Sequence, residues 1–439
     1  MILSLYFYRY VFIVCVAIGN VVESTDFKGR SIPQCNMFIS ETIPNNLTYG
    51  SEAPFIIPIS KVWKALISNS KKNLRIASFY WTMLNRDVSN TTQFPSSREG
   101  SEILQMLIEK SKSIPLEIVQ NGTEELYDLG LLKKNKLVKI HYIDIPRYEN
   151  RGIQHSKVWI SDNSSAFIGS ANMDWRSLSE IKELGVLITE CEEVVHDVNK
   201  FWEVLQLLSG PTAQIPKQWP SYLYPAYNHT NPLIATVNGV LAKIYTATSP
   251  PNLNPPFRTD DLTAIIQTIN KSKKFIYISV MDFSPLEISY SKNGPNIYWP
   301  DIENQLKTAA IDRGVTVRLL ISLWQHSGAK MLIFLRSLKI LSKIWNVDIS
   351  VKMFVVPAFE RYQQEIPFSR VSHSKYMVTE NSVYIGTSNW SGDYFKYSGG
   401  ISLNYEEMYP NSKSSLSLRT TLEDIFNTDW NSVYAHELY

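Results

Sequence analysis

Apolar and polar positions fall into short strand-like runs separated by stretches of helical period, and the order of these runs occurs twice. In the first half, KNLRIASFYW (Lys72–Trp81) reads as a strand and EILQMLIEKSK (Glu102–Lys112) as a helix, and IPLEIVQ, LVKIHYIDIP and HSKVWISD are β-rich again. In the second half, KKFIYISVMDF (Lys273–Phe283) precedes a helical IENQLKTAAIDRG, then VTVRLLIS, VDISVKMFVVP and HSKYMVTE. One order repeated predicts a duplicated unit. Alternation of strand and helix within each copy predicts an α/β fold: two pseudo-symmetric lobes, each a mostly parallel sheet flanked by helices in an α-β-α sandwich. The lobes are expected over residues 33–208 and 261–439. Residues 209–260, densest in proline at SPPNLNPP, read as an ordered but irregular connector. Near the C-terminus, LRTTLEDIFNTDW predicts a helix packed on the second lobe.

Charge narrows the functional classes. Across 439 residues, 43 Lys+Arg face 41 Asp+Glu, a net charge of +2, which excludes a globally basic nucleic-acid coat. The densest basic run, Lys133, Lys134, Lys136 and Lys139, reads as a solvated face. With 44% hydrophobic and 19% charged residues the chain has ample material for a core and lacks the signature of disorder. Residues 1–22 hold Arg9, the apolar run Val11–Gly19, and small residues at Ala17 and Gly19. They are expected to be a cleaved signal peptide or, alternatively, a signal anchor, with membrane contact only in the second case. Either places the remainder in the secretory pathway. Of three cysteines, Cys15 lies in that segment, leaving Cys35 and Cys191 as an expected disulfide or, alternatively, two buried thiols. Asn46, Asn90, Asn121, Asn163, Asn228, Asn270 and Asn389 head potential glycosylation triplets.

The chemistry concentrates in two matching constellations. His155-Ser156-Lys157 is followed by Asp162 and by Gly169-Ser170-Ala171-Asn172; His373-Ser374-Lys375 is followed by Glu380 and by Gly386-Thr387-Ser388-Asn389. Residues i and i+2 of a strand share a face, so each His and Lys project together. If a pseudo-twofold joins the lobes, two imidazoles, two ammonium groups and two amides surround one centre. That set suits a phosphodiester anion and the extra charge of its transition state. One imidazole can attack phosphorus to form a phosphohistidine while the other protonates the leaving oxygen and then activates water. Nothing in the motifs has metal-ligand spacing, and no cofactor is required. Asp162 and Glu380 are expected to brace the turns behind the motifs.

These signatures, HSKVWISD with GSANMDW and HSKYMVTE with GTSNWSGDYF, resemble the two HxK motifs of the phospholipase D superfamily. From about Cys35 onward, segments such as IASFYW, VRLLIS, FVVP and YIGTSNWSG are most similar to its lysosomal five-prime exonuclease subgroup, phospholipase D3/D4-like. The resemblance implies metal-independent release of 3′-phosphomononucleotides from the five-prime hydroxyl end of single-stranded nucleic acid, best at acid pH. It also implies a lysosomal or secreted location and a homodimer. The subgroup's second disulfide is missing, with Leu323 in place of one cysteine. The resemblance further implies that a carboxylate downstream of the first motif orients the first His. Glu183, eleven positions after Asn172, matches it, whereas the same offset from Asn389 reaches Gly400. His155 is therefore expected as nucleophile and His373 as general acid/base, with the reverse assignment as the alternative. Tyr80, Trp81, Trp175, Phe283, Trp390, Tyr394 and Phe395 are candidates to stack bases. The rival readings are a phospholipid hydrolase or transphosphatidylase, and a secreted binding protein with a silenced site.

Overall fold

The computed structural model describes residues 32–124, 126–287, 296–409 and 417–438; the expected signal segment, 1–22, lies outside them. Leu74–Ser78 centres the first sheet. On one side it runs parallel to Leu116–Asn121, itself parallel to Val138–Ile143. On the other side Val158–Ser161, Ser165–Gly169, Glu183–Thr189 and Gln34–Thr42 follow, each antiparallel to its neighbour. The second lobe repeats this order. Phe275–Val280 is parallel to Thr316–Ser322 and that to Ile349–Phe354, while Lys375–Thr379, Ser382–Gly386, Gly400–Glu407 and Val240–Ser249 continue antiparallel. The α/β layering and the duplication match the expectation. The pairing is more antiparallel than strand–helix alternation suggests, because each HxK strand returns through a hairpin turn too short to hold a crossover helix.

The connector is less irregular than expected. Leu233–Val237 and Val240–Ser249 form an antiparallel hairpin. Its turn is Asn238-Gly239, with φ of 48° and 86°, the conformation for which Asn-Gly is the favoured pair. Gln34 and Cys35 pair in parallel with Thr236 and Val237, so the two sheets meet through this hairpin.

Among the described residues, three large apolar clusters form the interior. One lies behind the sheet of each lobe, and the third is shared, running from Val186 and Trp202 in the first lobe to Leu403 and Phe426 in the second. The shared cluster contains Cys35 and Cys191, which form a disulfide with Cα atoms 4.5 Å apart. The helix Leu418–Trp430 starts at Ser417, whose hydroxyl accepts the Thr420 N–H. As expected it packs on the second lobe, with Phe426 stacked on Tyr277 at 4.8 Å. It also reaches the first lobe: Asp429 lies 3.3 Å from the buried Lys182 ammonium, which Glu41 approaches at 2.9 Å. Lys133, Lys134, Lys136 and Lys139 are exposed, as a solvated face requires.

The disulfide closes a loop across a sequence separation of 156 residues, so its loss frees much denatured-chain entropy. Cys35→Ser is expected to lower stability by about 2–4 kcal/mol, read as a lower denaturant midpoint. A reductant should move the wild-type midpoint alike and leave the variant's unchanged.

Candidate active site

Backbone hydrogen bonds across the lobe boundary place the two motifs. His155 N–H donates to the Gly399 carbonyl at 2.8 Å and Gly399 N–H returns to Ile153 at 2.8 Å. His373 N–H donates to the Lys182 carbonyl at 2.7 Å and Lys182 N–H to Val371 at 2.9 Å. Each HxK segment is thus laid parallel against the segment that follows the other lobe's asparagine turn. His155, Lys157, Asn172, Glu183, His373, Lys375 and Asn389 are all buried at this junction. Close approach demands the glycine before the first asparagine turn: Gly169 pairs opposite Gly185, and a Cβ on Gly169 would lie 2.7 Å from the Gly185 Cα.

The imidazoles are held differently. His155 Nδ1 lies 2.9 Å from the Thr387 carbonyl, which can only accept, so Nδ1 carries a proton and the neutral ring has its lone pair on Nε2. His373 Nδ1 lies 2.8 Å from Glu183 Oε2. This corrects the expectation that Glu183 serves His155: the carboxylate crosses the lobe boundary and partners His373. Sequence offset identifies the pseudo-equivalent positions, but the crossed ladders carry each to the other lobe's histidine. Ser170 and Ser177 hydroxyls donate to Glu183 as well. Gly400 faces the Ser388 and Ser249 hydroxyls, which leave no room for a side chain.

Lys157 and Lys375 donate to the carbonyls of their own His155 and His373. Asn172 donates to the Tyr80 hydroxyl at 3.2 Å, and Asn389 to Asp282 and the Tyr394 hydroxyl, both at 3.3 Å. Asp282 was not singled out in the sequence; the repeat contains the signal, since Tyr80 and Asp282 hold matching places after the central strands. Phe79, also not singled out, packs its ring 5.2 Å from that of His155, opposite Tyr394 at 4.9 Å. Of the rings expected to stack bases, Trp81, Trp175, Phe283, Trp390 and Phe395 are buried in the core, while Tyr80 and Tyr394 are half-buried at the site. Asn389 is buried in the site, so its triplet is no acceptor for a glycan in the folded chain.

Asp162 and Glu380 lie at the far end of the central strands, away from the imidazoles. Asp162 accepts backbone N–H groups of Lys71, Lys72 and Asn73 at 2.7–2.9 Å, and Glu380 those of Lys273, Lys274 and Phe275 at 2.7–3.4 Å. Each brings its HxK strand into register with the start of the central strand. Burial would raise the Asp162 carboxyl, but these three donors outweigh it and hold it below its ordinary value.

Burial, reinforced by the crowded cations, sets the protonation pattern. Burial, then Lys157, Lys375 and His373, hold the His155 imidazole well below its ordinary range. Burial also lowers His373, but the Glu183 carboxylate opposes the shift. Burial and Lys375 push Lys157 well down, and burial brings Lys375 to about 7 against the pull of Glu183 and Asp282. Burial would raise Glu183; the His373 and Lys375 charges and the Ser170 hydroxyl outweigh it and keep it ionised. An anion between the two ammonium groups offsets their repulsion and stabilises every cation in the site. His155 is thus poised to attack through Nε2, and His373, with its carboxylate partner, keeps its proton to higher pH than His155 does. Glu183→Gln removes the charge that opposes the fall of His373, so the ring should lose its proton at lower pH than in the wild type. Nitrogen-resolved histidine NMR checks this; an unmoved His373 titration would break the pairing.

The family described as PLD3/4, PLD-like domain matches residues 50–359. The chain is 40% identical over 411 residues to the 5'-3' exonuclease PLD3 of Xenopus laevis, covering 92% of this chain and 82% of that protein. It is also 40% identical over 403 residues to the virion nicking-joining enzyme of Vaccinia virus (strain Copenhagen), covering 91% and 89%. Among solved structures, the phosphatidylserine synthase of Haemophilus influenzae Rd KW20 superposes with a TM-score of 0.58 at 11% identity, over 91% of this chain and 87% of that one, a likeness of fold alone. With its paired HxK lobes, the family match and these identities, the chain belongs to the PLD3/4 family of PLD-like proteins.

Proposed function

We propose that the protein is a phosphodiesterase that shortens single-stranded nucleic acid from its five-prime end through a phosphohistidine. One observation carries the chemistry: two buried imidazoles from sister lobes lie with two lysines at the lobe junction, one ring tied to a carbonyl and the other to a carboxylate. His155 Nε2 attacks phosphorus, the P–O5′ bond breaks, and His373 gives its proton to the departing oxygen. Water then attacks phosphorus and gives a proton to His373 as the P–Nε2 bond breaks, freeing His155 and a 3′-phosphate. Lys157 and Lys375, with the Asn172 and Asn389 amides, stabilise the charge on the non-bridging oxygens. This role assignment agrees with the sequence expectation but has a different basis: the carboxylate marks the acid, and the nucleophile is the ring without one. The PLD3 relatives support nucleic acid as substrate. Likeness to the vaccinia enzyme supports a second reading, in which a strand hydroxyl replaces water and rejoins the phosphodiester. The disulfide supports an oxidising lumen, lysosomal or extracellular, as the site of action.

With chelator present, a five-prime hydroxyl oligonucleotide should shorten to 3′-phosphomononucleotides, while phosphatidylcholine keeps its head group. A nicked and resealed circle would favour the second reading. His155→Ala should lower turnover by about 10³-fold or more. With a p-nitrophenyl diester, whose leaving group needs no proton, His373→Ala should accumulate phosphate on His155, and mass spectrometry finding it on residue 373 of the His155→Ala chain instead would reverse the roles.

Turnover needs neutral His155 and protonated His373. Both pKa values are lowered, so the pH–rate optimum should lie on the acid side of neutrality, falling at higher pH as His373 loses its proton. Glu183→Gln should move that alkaline limb to lower pH.

A further inference from the structure

Two exposed rings on segments bonded to the catalytic motifs have no part in the chemistry above. Phe368 is 56% exposed, and its ring stacks on the exposed His326 with centroids 4.7 Å apart and planes 18° from parallel. Trp324 meets the same imidazole edge-on at 4.6 Å.

Both rings are tied to the catalytic groups. His326 lies in the loop after Thr316–Ser322; the Ser322 hydroxyl accepts the Ser372 N–H at 3.0 Å, one residue before His373. Ser327 closes this loop, donating to the Ser322 carbonyl at 3.2 Å and accepting the Trp324 N–H at 3.1 Å. On the other ring's side, the Pro367 carbonyl accepts from Arg176 at 2.6 Å. Arg176 pairs with Asp174 at 2.8 Å, which accepts the Tyr80 hydroxyl at 2.9 Å, the same hydroxyl that Asn172 donates to.

The backbone at Phe368 is in the left-handed region, φ 53°, and Arg370 follows at 52°. Such conformations are uncommon for residues with side chains and persist where the surroundings over-determine them. Here Glu180 and the Pro357 carbonyl, each 2.9 Å from the Arg370 guanidinium, fix the turn. A strained turn therefore turns a large apolar ring toward water in the segment that leads into His373.

We propose that the His326–Phe368 pair is a stacking platform for a nucleobase of the strand next to the scissile phosphate. This rests on the nucleic-acid reading above. A flat, outward ring face accepts any base, which suits stepwise trimming without sequence preference. Phe368→Ala should raise KM for a single-stranded oligonucleotide about tenfold with kcat unchanged, since the lost contact is the same in ground and transition states. Phe368→Leu keeps apolar bulk without a π-face and should match the alanine variant; Phe368→Trp should restore wild-type KM. Oligonucleotides made abasic at one terminal position at a time should include one for which wild type and Phe368→Ala have equal KM. The platform is overturned if Phe368→Ala keeps KM within about twofold of wild type, if leucine serves as well as phenylalanine, or if no abasic position abolishes the difference. If the wild type cleaves a p-nitrophenyl diester but leaves oligonucleotides intact, the nucleic-acid reading fails and takes the platform with it.

Discussion

The site depends on one exchange of backbone hydrogen bonds: each lobe's histidine segment is paired to the other lobe, His373 on Lys182 and His155 on Gly399. Buried amides must be satisfied, so these bonds form together or the lobes do not close. Beneath one ladder, the Lys182 ammonium sits between Glu41 and Asp429, joining the first strand, the first catalytic turn and the last helix in one buried ionic cluster. Removing either carboxylate would leave a buried cation short of charge, a larger effect than any surface pair has. Lobe closure and catalytic geometry are the same structural event.

Duplication would by itself give two equivalent histidines. A single pair of matching positions breaks the equivalence: Glu183 in one lobe reaches the opposite lobe's His373, whereas its counterpart Gly400 has no side chain and His155 is left with the Thr387 carbonyl. Serine hydroxyls fill the volume where a second carboxylate would stand. One carboxylate offsets the effect of burial on one ring only, which separates the proton affinities of acid and base.

The sequence disclosed most of this because the repeat carries both periodicity and chemistry. Strand order, the lobes' parallel edges, both HxK pairs and the disulfide partners were legible from pattern and count. Four features were not. The direction of Glu183 depends on how the lobes cross, which no linear offset encodes. Asp282 and Phe79 sit beside recognised motifs, but their roles come from tertiary proximity. Buried aromatics such as Trp175 and Trp390 look the same in sequence as exposed ones, since size and apolarity serve a core as well as a base-binding surface. The connector hairpin was not legible because the proline-rich composition around it outweighs the single short turn signal, Asn238-Gly239.

That hairpin has a consequence beyond joining the lobes. Val240–Ser249 seals the antiparallel margin of the second sheet and Thr236–Val237 borders Gln34–Cys35, so neither inner margin offers unpaired amides to a neighbouring molecule. The last strand, Ala435–Glu437, shields part of Ile349–Phe354 in the same manner. Val138–Ile143 ends the first sheet on the other side, with Lys139 exposed on it, a charge that discourages intermolecular strand addition. A large β-rich molecule is thereby kept from templating its own aggregation by a segment that looks, in composition, like a mere linker.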